Sequence, residues 1–228
     1  MKKVAIIQSN YLPWKGYFDM IHRVDAFVFL DDVQYTTRDW RNRNKIKMAD
    51  GSAKWISVPV TGGRDQLIYE AKIDYSSNWA NKHLEALRHS YGKTSHFDRY
   101  FPAIKEILEG SPELLSQLNR TLVERICGWL GIRTELRSSK EFGVPGSKDD
   151  KLIGIIREVG GDSYLSGPAA RDYIVDEKFE KAGIGLEYMD YSHYPTYEQI
   201  SEPFEHGVTI LDLLFMVGEE APKYIWAE

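Results

Sequence analysis

The sequence predicts an α/β fold: a mostly parallel sheet with helices on both faces, carrying an inserted hairpin and a helical lobe. Three observations lead there. Residues 4–7 and 26–30 are short apolar runs, as in strands covered on both sides. Between them Phe18, Ile21 and His22 recur at helical spacing, so the opening reads β-α-β. Later strand-like segments go on alternating with helical ones, the pattern of a parallel sheet with crossover helices.

The elements follow in order. Residues 40–47 and 54–60 are two extended segments around Asp50-Gly51-Ser52, a hairpin signal. A Gly-rich turn at 61–65 precedes a short extended piece at 67–74. From Ser77 the period becomes helical, with Trp79, His83, Leu84 and Leu87 on one face and Phe101, Ile104, Ile107 and Leu108 on another. Ser111-Pro112-Glu113 reads as a helix start, Ser capping and Pro at the first helical position. That helix carries Leu115, Leu118, Leu122, Ile126 and Trp129 inward and stops at Gly131. A third strand at 134–138 leads into a polar loop, 139–148, long enough to act as a lid. Then come a helix at 149–159, a strand at 163–166, a helix at 176–182, a strand at 186–191 and an apolar packing helix at 208–215. The 228 residues are expected to form one domain, with 36–74 as the inserted hairpin region and 77–131 as the helical lobe.

Composition narrows the function classes. A net charge of −5 argues against a dedicated nucleic-acid binder. No apolar run approaches the roughly 20 residues that span a bilayer, so no membrane insertion is expected. Lys2-Lys3 precede only four apolar residues, too few for a secretory core segment. The one cysteine, Cys127, excludes an internal disulfide and fits a reducing compartment. The expected setting is the cytoplasm, and the expected partner a small molecule. His and Cys spacing matches no metal motif, and no tightly bound cofactor is expected.

Four constellations could carry chemistry. Residues 38–47 hold five cations and one anion, a net +4, so the remainder of the chain carries −9. Arg41, Arg43, Lys45 and Lys47 fall at alternate positions, and an extended backbone would project all four to one side about 7 Å apart. That suits a phosphate or carboxylate clamp and equally a solvated edge strand guarded by charge. Asp31-Asp32 closes the second strand, where a carboxylate could hold Mg²⁺ with a nucleotide, orient an amine, act as a base, or simply cap the turn. Tyr164-Leu165-Ser166-Gly167 is a strand end meeting glycine, a place for backbone N–H groups to hold an anion or for tight packing alone. Tyr188, Tyr191, His193, Tyr194 and Tyr197 offer either stacking faces or a packing seam. In open α/β sheets ligands bind beyond the carboxyl ends of the strands, here Gln8-Ser9-Asn10 and Asp31-Asp32.

These pieces, in this order, resemble the WbqC-like family. The matching segments are Gln8 with Asn10-Tyr11-Leu12-Pro13-Trp14, Gly16-Tyr17-Phe18, Phe29 to Tyr35, Trp40 to Asn44, Val58-Pro59-Val60, Tyr164 to Gly167, and Leu211 to Leu214. The family commonly reads His-Gln-Pro-Asn at the first strand end, where this chain has Ile7-Gln8-Ser9-Asn10. The resemblance implies a setting in the making of O-antigen or other cell-surface polysaccharide, and an acyl or glycyl-type aminoacyl transfer to a sugar amine. More distantly, the opening unit is similar to the nucleotidylyltransferase and pantothenate synthetase group, which implies a Rossmann-like fold and an ATP-derived adenylate, with Mg²⁺ accompanying ATP.

On that reading Gln8, Asn10, Tyr11, Trp14 and Tyr17 line the first strand end. Asp31 or Asp32 orients the amine or metal, and Lys15, Arg41 and Arg43 offset phosphate charge. Tyr164, Ser166, Gly167 and Tyr173 hold the nucleotide, with Ser138 and Ser139 on a closing loop. The resemblance also admits a non-catalytic sugar-nucleotide-binding partner of a glycosyltransferase, or a transferase using a thioester or aminoacyl-tRNA donor.

Overall fold

Alternation along two buried strands builds the core. In β1 (Lys3–Ile7) and β2 (Ala26–Phe29), Ala5, Phe27 and Phe29 point to one side of the sheet and Val4, Ile6, Ala26 and Val28 to the other. Both sides must therefore be covered. The computed structural model, which describes residues 1–226, covers one with α1 (Lys15–His22), α4 (Leu115–Leu130) and α7 (Ile210–Val217). The other is covered by α5 (Lys148–Glu158) and α6 (Asp176–Ala182).

The sheet is completed by β5 (Glu135–Ser138), β6 (Ser163–Ser166) and β7 (Gly185–Tyr188), and its order is β5-β2-β1-β6-β7. Every neighbouring pair is parallel. The chain starts at the centre, builds outward to β5, then crosses back over β1 to β6 and β7, so its direction of growth reverses between β1 and β6. The β1–β2 ladder runs four pairs, Val4↔Ala26 to Ile7↔Phe29, whereas β1–β6 runs two and stops at Val4↔Tyr164. Beyond that point the two strands are unpaired and a crevice opens, at the place where this fold class holds ligands.

The segment between β2 and β5 holds a separate hairpin, β3 (Arg43–Lys47) with β4 (Ala53–Ser57), and helices α2 (Trp79–Tyr91), α3 (Phe97–Glu109) and α4. One apolar cluster runs from Phe27 and Phe29 of the sheet through Leu87, Phe101, Leu122 and Phe215, so these helices share the core of the sheet. Cys127 of α4 lies in that cluster, 4% exposed, and burial pushes its thiol up to about 12.

Two local expectations fail for reasons of tertiary pairing. Ser111-Pro112-Glu113 does not start a helix: Ser111 sits at φ 52°, and α4 begins only at Leu115. Leu114 is drawn into an isolated bridge with Lys72, and the Leu115 N–H donates to the Ala71 carbonyl. The piece expected to be extended over 67–74 is a 3₁₀ turn at Ile68–Glu70 flanked by single bridges. At the other end of α4, Gly131 takes the left-handed conformation, φ 72°, as a helix stop requires. Among the described residues no helix is long and apolar enough to cross a membrane.

Candidate functional site

The site is organised by three consecutive residues, Gln8-Ser9-Asn10, where the chain leaves β1. Just beyond them Leu12 is fully buried at φ 43°, a conformation that costs a bulky residue about 1–3 kcal/mol. The turn is held from several sides. Asn44 Nδ2 donates to the carbonyls of Tyr11 (3.3 Å) and Leu12 (2.7 Å), and the Tyr11 N–H donates to the Trp40 carbonyl at 2.9 Å. The Ile210 N–H donates to the Pro13 carbonyl at 2.8 Å. Tyr11, fully buried, bonds through its hydroxyl to His83 Nδ1 at 2.9 Å, and Tyr17 donates to the Gln8 carbonyl at 3.1 Å.

Gln8 and Asn10 each line a hollow, and another is lined by Asp31, which accepts the Ser9 N–H. The first, about 330 Å³, occupies the β1/β6 crevice and is lined by Gln8, Tyr164, Ser166, Gly167 and Tyr173. Lys148 and Lys151, from the first turn of α5, reach the same hollow. The acids of that turn face elsewhere: Asp149 accepts the Val175 N–H and Asp150 pairs with Lys178 at 2.8 Å. The α5 N-terminus and the exposed Lys148 thus share one crevice, an arrangement suited to phosphate, while Lys151 is held by Asp32. The second hollow, about 350 Å³, lies at the β2 tip between Asp31, Ser116, Arg120, Ser138 and Lys140. The third, about 320 Å³, has walls of Asn10, Pro13, Trp14, Trp40, Asn44 and Gly207.

The two aspartates at the β2 tip point to opposite faces, as neighbours on a strand do. Asp31 is 2% exposed, and its Oδ1 accepts the Ser9 N–H at 2.9 Å. Burial pushes its carboxyl up to about 6, against the opposing pull of the Ser9 hydrogen bonds and of the Arg120 and Arg41 charges. Such a group is protonated or ionised by small changes near neutrality and can move a proton. Asp32 instead pairs with Lys151 Nζ at 2.7 Å and accepts the Ser139 hydroxyl at 2.5 Å. Lys151 also donates to the Val144 carbonyl. Asp32 therefore ties the loop after β5 and the start of α5 to the β2 tip.

The cationic ribbon does not act as one clamp. Arg43 lies with its guanidinium 4.1 Å from the centre of the Trp55 ring, and Lys45 reaches the same indole at 5.3 Å. Lys47 is 1% exposed and donates to the carbonyls of Gly51 (2.9 Å) and Pro203 (2.5 Å), so burial withdraws it from any ligand. Arg41 alone comes close enough to Asp31 to favour its charged form. It pairs with Asp39 at 3.1 Å, and its Nε has no partner among the described residues. Lys15 is also withdrawn. It is 3% exposed, donates to the Pro195 carbonyl at 3.1 Å, and lies under Tyr194 and Tyr197 at 4.9 and 5.6 Å. Burial pushes this lysine down to about 8, with Asp212 opposing. The tyrosine run after β7 is accordingly a packing seam around Lys15 and Trp14.

Sequence reasoning missed Lys148, Lys151, Arg120 and Lys140, which supply the cations of the first two hollows. Gly146-Ser147-Lys148 before a helical period was the available signal for the first pair. Arg120, on a helix otherwise read for its apolar face, offered none.

The strand order, the crevice at the reversal and the polar tips together define a Rossmann-like α/β protein with hollows along the carboxyl edge of its sheet. The chain belongs to the WbqC-like protein family, whose model matches residues 8–224. A protein of Mycobacterium tuberculosis, named as uncharacterized protein Rv1507c, is 45% identical over 228 residues, 99% of this chain and 98% of that one. No solved structure matches the chain.

Proposed function

We propose that this protein is a group-transfer enzyme of cell-surface polysaccharide synthesis that activates a small carboxylic acid with ATP and passes the acyl group to the amine of a nucleotide-linked amino sugar. An aminoacyl group of glycyl type is the acyl group this reading favours. The observation that carries it is the β1/β6 hollow, which Lys148 at the α5 N-terminus lines together with Ser166 and Gly167. Phosphate charge developing as pyrophosphate or AMP leaves would be offset there. Tyr173, 69% exposed on the rim, offers a stacking face for a base. Magnesium would enter on the phosphates of the nucleotide and needs no dedicated protein cage.

Asp31 supplies the second half of the chemistry. The sugar amine attacks the acyl carbonyl carbon, the bond to AMP breaks, and the proton leaving nitrogen passes to the Asp31 carboxylate. Arg41 and Arg120 keep that carboxylate ionised against its burial. The Tyr17 hydroxyl, bonded to the Gln8 carbonyl, positions the strand end rather than reacting.

Incubation with ATP, an amino acid and a nucleotide-linked amino sugar tests this reading. AMP, pyrophosphate and an amide product identified by mass spectrometry are expected. Calorimetric binding of the nucleotide sugar with no AMP or pyrophosphate formed would leave a non-catalytic binder, and a requirement for charged tRNA would replace the donor. Lys148 is solvent-exposed, so Lys148→Ala should keep the fold and weaken nucleotide binding by roughly tenfold or more. The loss should shrink at high salt, and calorimetry with ATP at two ionic strengths reads it.

A further inference from the structure

We infer that the hollow between Trp14 and Trp40 is the acceptor subsite and takes the uncharged pyranose ring of the sugar, an inference that rests on the transferase reading above. Its lining differs in kind from that of the other two hollows. They carry Asp31, Arg120 and Lys140, or Lys148 and Lys151, whereas this one is walled by two indoles, Pro13, Gly207 and two carboxamides. No ionisable side chain lines it among the described residues. The occupant it fits is neutral, with an apolar face for an indole and a hydroxyl rim for an amide. A pyranose ring has that shape: its C–H bonds form the faces and its hydroxyls the edge.

Both indoles are held in place before any ligand arrives. Trp40 is 41% exposed, a large apolar side chain left facing solvent. It is backed by Trp55 at 5.2 Å, which Arg43 covers in turn at 4.1 Å. The cation ribbon that does not clamp phosphate thus supports this wall. Trp14 is fixed by edge-on contacts with Tyr191 (4.9 Å) and Tyr194 (5.8 Å). It also lies directly over Gly16, where a methyl group would meet the indole at 2.4 Å. Two rigid aromatic walls lose little freedom when a ring is placed between them.

The polar contact is specific. Asn44 is fully engaged, its Nδ2 on the Tyr11 and Leu12 carbonyls and its Oδ1 accepting the Lys45 N–H at 2.7 Å. Asn10 Oδ1 is shut off from solvent and has no partner among the described residues. Rotation of this half-buried side chain into the hollow would bring its carbonyl oxygen to a ring hydroxyl, and the cost of an unmet buried acceptor favours that exchange. Asn10 is also the third residue of the tripeptide whose first residue lines the nucleotide crevice and whose second binds Asp31. Two residues of chain span at most about 7 Å. The hollow therefore opens on the same strand-end turn whose Ser9 N–H holds the Asp31 carboxylate.

The test is intrinsic tryptophan fluorescence, with saturation-transfer NMR, on the full chain titrated with N-acetylglucosamine, glucose and adenosine, alongside ATP. Wild type should bind the sugars, and Trp40→Ala should weaken them by about tenfold or more while ATP affinity stays within about twofold. Trp40→Phe, which restores an aromatic face, should recover part of the loss. Sugar binding unchanged in Trp40→Ala would overturn the inference, as would no sugar binding by wild type at 100-fold the protein concentration and above, or displacement of sugar by adenosine. Retained sugar selectivity in a protein that fails to bind ATP would support the subsite and overturn the transferase reading instead.

Discussion

Replacing Asp31 by Asn is expected to lower kcat by about 10²- to 10⁴-fold and, at the same time, to stabilise the fold at neutral pH. Both effects come from one carboxyl group. In the folded chain it sits near 6, above the ordinary value of 3.8, because it is removed from water. A raised acid favours folding while it is protonated: the contribution is fully present below about 3.8 and is lost as pH rises through about 6. At pH 8 the ionised group therefore costs about 3 kcal/mol relative to its protonated form, and Asn removes the cost while still accepting the Ser9 N–H. Urea melts at pH 8 should show the variant more stable by up to that amount, with the difference vanishing by pH 3.5. Wild-type kcat/KM should rise through about pH 6 as the base ionises. A variant that is inactive but also less stable at pH 8 would mean that Asp31 is a structural anchor. The combination expected here is the trade between stability and activity seen where an active site holds a buried charge.

The second large effect falls on Asp212, which lines none of the three hollows. This first-turn residue of α7 is fully buried, and its Oδ2 accepts the Tyr197 hydroxyl at 2.6 Å and Gln199 Nε2 at 2.8 Å. It also offsets the charges of Lys15 and Lys47, both nearly inaccessible to water. Asp212→Ala strands those two ammonium groups, a hydroxyl and a carboxamide at once, and should cost about 3–5 kcal/mol by denaturant unfolding. Asp212→Asn keeps an acceptor for Tyr197 and should lose less. Lys15, already pushed down to about 8, should fall further in either variant, because Asp212 is what holds it up. A loss below about 1 kcal/mol for the alanine variant would show that water enters and solvates the cluster.

What the chain reveals before folding follows the range of each interaction. Strands β1, β2 and β6 are legible because burial on both faces leaves near-continuous apolar runs, and α6 and the stop at Gly131 because caps are local. The polar tips Gln8-Ser9-Asn10 and Asp31-Asp32 are legible for the same reason: nothing in a buried strand asks for them. The cation ribbon misleads because its partners are remote. Lys47 looks like surface until Pro203, 156 residues later, arrives with its carbonyl, and Arg43 looks free until the hairpin folds Trp55 over it. Ser111 fails as a cap because Lys72 claims Leu114 first. Arg120 and Lys151 stay hidden on helices whose periodicity reports only their buried faces.

The withdrawal of Cys127 into α4 has a practical consequence. With that thiol both inaccessible and held almost entirely protonated at neutral pH, a maleimide reagent has no native target. A cysteine introduced on the exposed part of the loop after β5, at Pro145, would be the only reactive handle. A fluorophore placed there would report loop position during turnover, without any need to remove the native sulfur first.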